Sequence, residues 1–138
     1  MKKKLKTAFI SGPIQGFETK QGYRKILAKI LTENGYKVID PWKRERVLYR
    51  HVPYRKWWNN VPPRKFIQRD LKDIEKSDLL VAYLPRLSAG TLMELFYAKQ
   101  KGKNTVVISR LKNPSPWIIE HVNLRFETIK QFEKWLSI

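Results

Sequence analysis

Cysteine is absent from the 138 residues, which excludes disulfides and thiolate metal sites and makes a cytoplasmic location the expectation. Histidine occurs only at His51 and His121, neither at ligand spacing from a carboxylate, so no metal is expected, and nothing in the chain calls for a cofactor. No apolar run approaches the roughly 20 residues needed to cross a bilayer. The basic start, Lys2 to Lys6, is followed by an apolar stretch that breaks at Gly12-Pro13, which is not the pattern of a signal peptide. Internal repeats and low-complexity segments are missing as well. Acidic residues are scarce, 12 against 29 Lys and Arg, and the net charge is +17.

What is present suffices for one domain with a real core, spanning 1–138. A charge of +17 implies an anionic partner or unusual growth conditions. The basic residues are spread along the chain, with local clusters at Lys2 to Lys6 and Lys43 to Arg69. A spread surplus fits a phosphorylated small substrate or a general surface bias better than nucleic acid, which favours one concentrated stripe.

The pattern alternates strand and helix. Thr7 to Ile10 reads as a strand, and Tyr23, Ile26, Leu27, Ile30 and Leu31 share one helical face. Asn34-Gly35 closes that helix, and Tyr36 to Ile39 is a second strand, stopped by Asp40-Pro41-Trp42. Residues 41–63 form an aromatic and basic insertion, with some helix expected around Lys43 to Arg50. Trp42, Trp57 and Trp58 there either stack a base or pack the loop, and packing is the simpler expectation. A helix from Arg64 to Lys76 follows, with Ile67, Leu71 and Ile74 toward the core and Asp70 flanking that face. A strand over 78–84, a helix ending near Lys101, strands at 104–108 and 124–127 and a final helix complete the chain. Thr128 and Gln131 form a capping box at the start of that last helix. This alternation predicts an α/β fold, doubly wound and flavodoxin-like or Rossmann-like, with about five parallel strands in the order 2-1-3-4-5.

In such a sheet ligands bind at the carboxyl ends of the strands. Two glycine turns lie at such ends, Ser11-Gly12-Pro13-Ile14-Gln15-Gly16 after the first strand and Ser88-Ala89-Gly90 after the third. The first lacks the spacing of a dinucleotide fingerprint and of a P-loop. The second is expected to deliver Glu94 in the first turn of the next helix. There Glu94 is either a nucleophile or, as the last residue of Thr91-Leu92-Met93-Glu94, a capping-box carboxylate. Asp70 is either an acid partner or a surface carboxylate paired with Arg69 or Lys72. Asp40 is a turn former that also stands at a strand's carboxyl end. Asp78 is expected to fix the turn before its strand.

Phe9-Ile10-Ser11-Gly12-Pro13-Ile14, Asp40-Pro41-Trp42, Asp70, Asp78, Gly90-Thr91-Leu92-Met93-Glu94-Leu95 with Ala98, and Gly102-Lys103 follow one another in an order and spacing that resembles the nucleoside 2-deoxyribosyltransferase family. That family includes the 2'-deoxynucleoside 5'-monophosphate N-glycosidases. The resemblance covers roughly Thr7 to Leu136. It implies that Glu94 attacks the anomeric carbon of a 2'-deoxyribosyl group to give a covalent glycosyl-enzyme, that Asp70 assists the departing base, and that a second base or water resolves the intermediate. It further implies that Ser11, Gly12, Pro13, Ile14, Gly16, Asp40, Ser88 and Gly90 contact a deoxynucleoside or deoxynucleotide. A homodimer or larger assembly is implied, with Asn123 the candidate lent to a neighbour's site and Ser115 or Trp117 as further candidates.

Three positions depart from the family pattern. Ser88 stands where transferases typically carry an acid; serine there resembles the monophosphate hydrolases, in which it helps hold the 5'-phosphate. Those hydrolases favour an arginine in the first glycine turn, where this chain has Gln15. Phe96 replaces a frequent glycine. The expected function is therefore base exchange between 2'-deoxynucleosides, with hydrolysis of a deoxynucleoside 5'-monophosphate as the alternative. A non-catalytic nucleotide or nucleic-acid binding module, motivated by the charge and the 41–63 segment, is the reading from a different class.

Overall fold

A computed structural model describes residues 5–49 and 62–138. The elements are β1 (Lys6–Ser11), α1 (Gly22–Glu33), β2 (Tyr36–Ile39), α2 (Trp42–Glu45) running into a 3-10 turn (Arg46–Tyr49), α3 (Pro63–Lys76), β3 (Leu79–Tyr83), α4 (Ala89–Gln100), β4 (Asn104–Ile108), α5 (Pro116–Glu120), β5 (Leu124–Phe126) and α6 (Ile129–Leu136). All strand pairs are parallel, in the order β2-β1-β3-β4-β5, the arrangement the strand–helix alternation predicts. Trp57, Trp58 and His51 lie outside the described residues.

Alternation along each strand sorts the core into two layers. Ala8, Ile10, Leu79, Val81, Val106 and Ile108 pack on α1 and α6 through Leu27, Ile30, Leu31 and Phe132. Phe9, Leu80, Ala82 and Val107 point the other way, onto Ile74 of α3, Leu95 and Ala98 of α4 and Ile118 of α5. Both sheet faces are thus covered, as the near-continuous apolar runs of β1 and β3 require. Asp78 acts across the sheet rather than on the turn before it: its Oδ2 accepts from Thr7 N at 2.8 Å and pins the start of β1. Thr128 caps α6 by accepting from Gln131 N at 3.1 Å, but the glutamine side chain reaches back to Glu127 N rather than to the cap residue itself.

Two helical faces differ from expectation. Ile26 is 53% exposed, because the buried stripe of α1 swings to Arg24, Leu27 and Leu31 and carries Ile26 outward. Ile67 is 45% exposed, because the amino-terminal half of α3 overhangs a cavity rather than the sheet, and the buried side of the helix is built from Asp70, Asp73 and Ile74.

Arg24 is the unusual member of the core. It is 2% exposed, yet fully occupied. Its guanidinium donates to Asp40 Oδ1 at 2.9 Å, Gly12 O at 3.1 Å and Ile10 O at 3.3 Å, and its Nε to Gln21 Oε1 at 2.6 Å. Gln21 in turn donates to Pro13 O at 2.9 Å and Phe17 O at 2.8 Å. One cation therefore ties the carboxyl end of β1, the end of β2 and the first turn of α1. Asp40 also accepts from Trp42 N at 3.0 Å and so starts α2. Removing one partner of a buried ion pair leaves an uncompensated charge and costs about 3–5 kcal/mol. Arg24→Ala is expected to lower unfolding stability by about that amount. Asp40→Asn, which keeps an acceptor facing Arg24, is expected to lower it less; urea titration of both variants checks the order.

Candidate active site

The strand ends held by Arg24 border a cavity of about 960 Å³. Its walls come from the first glycine turn (Gly12, Pro13, Ile14), from Glu45 of α2, from Phe66, Ile67 and Asp70 of α3, from residues 86–97 including Ser88, Gly90 and Glu94, and from Ser115 and Trp117 at α5. That volume suits a nucleoside-sized ligand. Gly12 has no room for a side chain: a Cβ there would sit 2.0 Å from the Tyr23 hydroxyl. The turn and α1 are packed together at van der Waals limits.

Glu94 lies deeper in its helix than its sequence context suggests. Helix α4 begins at Ala89 behind an extended Ser88, so Glu94 is in the second turn and not the first. Thr91, the presumed cap, is inside the helix with its hydroxyl 3.3 Å from Ser88 Oγ. Glu94 makes its own bond elsewhere: Oε1 accepts from Ser11 Oγ at 2.6 Å, across from the end of β1. Burial is the main influence on its carboxyl and raises the pKa to about 7; Asp70 pushes the same way, while the Ser11 bond and the Arg24 charge oppose. The favourable end of a helix dipole, confined to the first turn, therefore does little to keep Glu94 ionised.

Asp70 of α3 is buried in the same cavity and takes Arg44 Nη2 at 3.3 Å; the same guanidinium pairs with Asp73. Burial raises the pKa of Asp70, with Asp73 adding to the rise and the Glu45 hydrogen bond, Arg44 and Arg69 opposing it. Glu45, 4% exposed, lines the same cavity, and its Oε1 is buried without a hydrogen-bond partner. Burial, then the bond to Asp70 and the charges of Asp70 and Glu94, lift Glu45 to about 10. Three carboxyl groups thus share one cavity wall, and the site cannot hold all three ionised.

The remaining sequence candidates divide. Ser11 meets Glu94 directly; Gly12, Pro13, Ile14, Ser88 and Gly90 line the cavity. Gly16 (φ +78°) lies off the lining and accommodates Arg86, whose Nη2 is 2.9 Å from where a Cβ would be. Asp40 is committed to Arg24 and Trp42 N. Asn123 is not brought to this cavity by its own chain: it precedes β5, at the opposite end of the sheet, with Oδ1 accepting from Thr105 N at 2.8 Å. Ser115 and Trp117 reach the cavity of their own chain. Glu45, Arg44 and Arg24 are the residues that sequence reasoning missed. Arg24 had a signal, a charge at the Leu27 and Leu31 stripe, and Glu45 a fainter one, a single acid between Arg44 and Arg46. Among the described residues no group of three or more His, Asp or Glu is placed to hold a metal ion, and no helix is long and apolar enough to cross a membrane.

The sequence profile described as Nucleoside 2-deoxyribosyltransferase matches residues 8–129. No curated protein sequence matches the chain. Solved structures share the fold. A 2-deoxyribosyltransferase from Bacillus psychrosaccharolyticus is 17% identical with a TM-score of 0.67, covering 92% of this chain and 90% of its own. A CMP N-glycosidase from Clostridium botulinum is 18% identical with a TM-score of 0.65, covering 96% and 100%. A 2-desoxiribosyltransferase from Leishmania mexicana is 14% identical with a TM-score of 0.65, covering 96% and 97%.

The carboxyl cluster has a consequence for stability. Glu45 and Glu94 bind protons in the folded state that the unfolded chain, with ordinary carboxyls near 4.5, has released. A raised carboxyl pKa makes the folded state the better proton binder, so their contribution to stability falls as pH rises from about 5, Glu94's until about 7 and Glu45's until about 10. Each proton contributes a slope of at most about 1.4 kcal/mol per pH unit. Glu45→Gln is expected to remove one proton's share, flattening stability against pH between 7 and 9; denaturant titrations across that range measure it.

Proposed function

The chain belongs to the nucleoside 2-deoxyribosyltransferase family, and from that premise we propose that it breaks the N-glycosidic bond of 2'-deoxynucleosides with Glu94 as nucleophile and passes the sugar to a second base. The observation that carries this reading is the juxtaposition of Glu94, held by Ser11 Oγ at 2.6 Å, and Asp70 on the walls of one cavity. With a pKa of about 7, a large fraction of Glu94 is ionised at neutral pH and able to attack. Its oxygen forms a bond to C1' as the C1'–N bond breaks, and the transition state carries oxocarbenium character that a nearby carboxylate stabilises. Asp70, raised by burial, gives a proton to the leaving base. An incoming base then attacks C1' from the opposite side, releases Glu94 and loses its proton to the same acid. The configuration at C1' is retained over two displacements. Phe66 and Trp117 on the walls offer aromatic faces for the bases.

Hydrolysis of a deoxynucleoside 5'-monophosphate is the second reading, and one observation favours it. Arg86 stacks over Phe17, 4.4 Å from the ring centroid, and donates to Gln15 O at 2.9 Å. A guanidinium thus stands at the first glycine turn, where the sequence itself offers only Gln15, and it borders the cavity beside Ser88. The cavity rim is also strongly apolar, with Trp117 and Met93 each 72% exposed and Leu87 63%, which supports a homo-oligomer in which a second copy covers the mouth.

Chromatography of the protein incubated with deoxynucleosides and their 5'-monophosphates, each with and without a second free base, tests the proposal. A new nucleoside identifies the transferase; free base alone identifies the hydrolase. Glu94→Gln is expected to abolish both products, and Asp70→Asn to slow them by about 10²–10⁴-fold. Absence of either product from every substrate would sink the glycosyl-transfer reading.

A further inference from the structure

We propose that Glu45 is a positioning residue for this reaction: set with Asp70 in one cavity, it shares one proton with that carboxyl and sends it, through Asp70, to the departing base. The inference rests on the glycosyl-transfer reading above and deepens it.

The geometry begins with two buried carboxyl groups, Glu45 and Asp70, on the walls of one cavity. Two ionised carboxylates have only acceptors, so a hydrogen bond between them requires a proton on one of them. Glu45 is 4% exposed and its Oε1 is buried with no hydrogen-bond partner. An orphaned carbonyl oxygen of a neutral acid is far cheaper to bury than an unpaired negative oxygen. Cations nearby are shared out. Arg44 bonds both Asp70 and Asp73, and Arg24 is spent on Asp40 and three uncharged acceptors. The charged and titratable groups bearing on the pair are Arg24 of α1, Arg44 of α2, Arg69 and Asp73 of α3 and Glu94 of α4. The raised pKa of Glu45, to about 10, accords with a neutral acid at physiological pH.

Charge bookkeeping shows why such a store suits this chemistry. Before reaction the cavity wall carries one negative charge on Glu94 and one on the Glu45–Asp70 pair. In the first displacement a lone pair of Glu94 forms the C1'–O bond. The C1'–N electrons leave on the base nitrogen, which takes the single proton of the pair: it crosses from Glu45 to Asp70 and passes from Asp70 to the base. Glu94 is now a neutral ester and the pair a dianion, so the total is unchanged. The repulsion from Glu94 disappears at the moment the pair must give up its proton. In the second displacement the pair takes a proton from the incoming base or water as Glu94 regains its charge.

The test compares wild type, Glu45→Gln and Glu45→Asp over pH 5–10. The probes are 2'-deoxyadenosine and 2'-deoxycytidine, their 5'-monophosphates, and 4-nitrophenyl 2-deoxyribofuranoside with and without a 5-phosphate. Nitrophenolate departs without a proton, so the last two report Glu94 and folding but not acid catalysis. Glutamine keeps a donor to Asp70 but has no proton to yield and holds Asp70 ionised. Expected is a loss of about 30-fold or more in kcat/KM on the natural nucleosides or nucleotides, disappearance of the alkaline limb of the pH profile, and a loss at least tenfold smaller on the nitrophenyl probes. Glu45→Asp should restore part of the natural-substrate rate together with an alkaline limb. The proposal is overturned if Glu45→Gln keeps the wild-type profile, or if it loses equally on both kinds of leaving group with the limb intact. A wild type inert on every probe overturns the underlying glycosyl-transfer reading, and this inference with it.

Discussion

The buried guanidinium of Arg24 is the constraint on which the site depends. A parallel sheet places ligands beyond its strand ends, and those ends carry unpaired carbonyls. Here Ile10 O and Gly12 O are taken by one side chain that also neutralises Asp40. The arrangement fixes the end of β1, and with it Ser11, whose hydroxyl holds Glu94. It also fixes the start of α2, three residues before Glu45. Two walls of the cavity thus take their positions from a single cation, and its field reaches Glu94 as well.

A chain with a net charge of +17 gathers its carboxylates where they are least comfortable. Asp70, Glu45 and Glu94 approach one another although basic residues are plentiful elsewhere on the surface. Proximity of like charges and removal from water act in the same direction, keeping protons bound at neutral pH. In the proposed reaction an acid and a nucleophile are made from the same functional group, with local surroundings deciding which does which.

Much of the architecture was legible because its signals are local. Apolar runs at 7–10, 79–83 and 104–108 are strands buried on both faces, and Gly or Asn-Gly punctuation separates them from helices, so the sheet and its order follow from chain alternation alone. The two glycine turns and Glu94 could be assigned to strand ends for the same reason. What was not legible depends on tertiary partners. Ile26 looks like a core residue until Arg24 draws the buried stripe of α1 toward the side away from it. Thr91 to Glu94 satisfies a capping pattern, yet Ser88 opens the helix earlier and Ser11 competes for the carboxylate. Glu45 sits in a basic stretch, and only the fold brings it against Asp70.

The tight contact between Gly12 and the Tyr23 ring has implications for anyone wishing to redirect the enzyme. A side chain at 12 would collide with Tyr23, whose ring packs at a tilt against Tyr83, 4.5 Å between centroids, and the disturbance would run into the sheet. Position 12 is therefore closed to single-step laboratory evolution; any change there needs a smaller residue at 23 in the same clone. Ile14, Gln15 and Leu87 border the same cavity with more freedom, half-buried or exposed as they are. A library aimed at new sugars or bases belongs at those three positions, where variation leaves the Arg24 clamp intact.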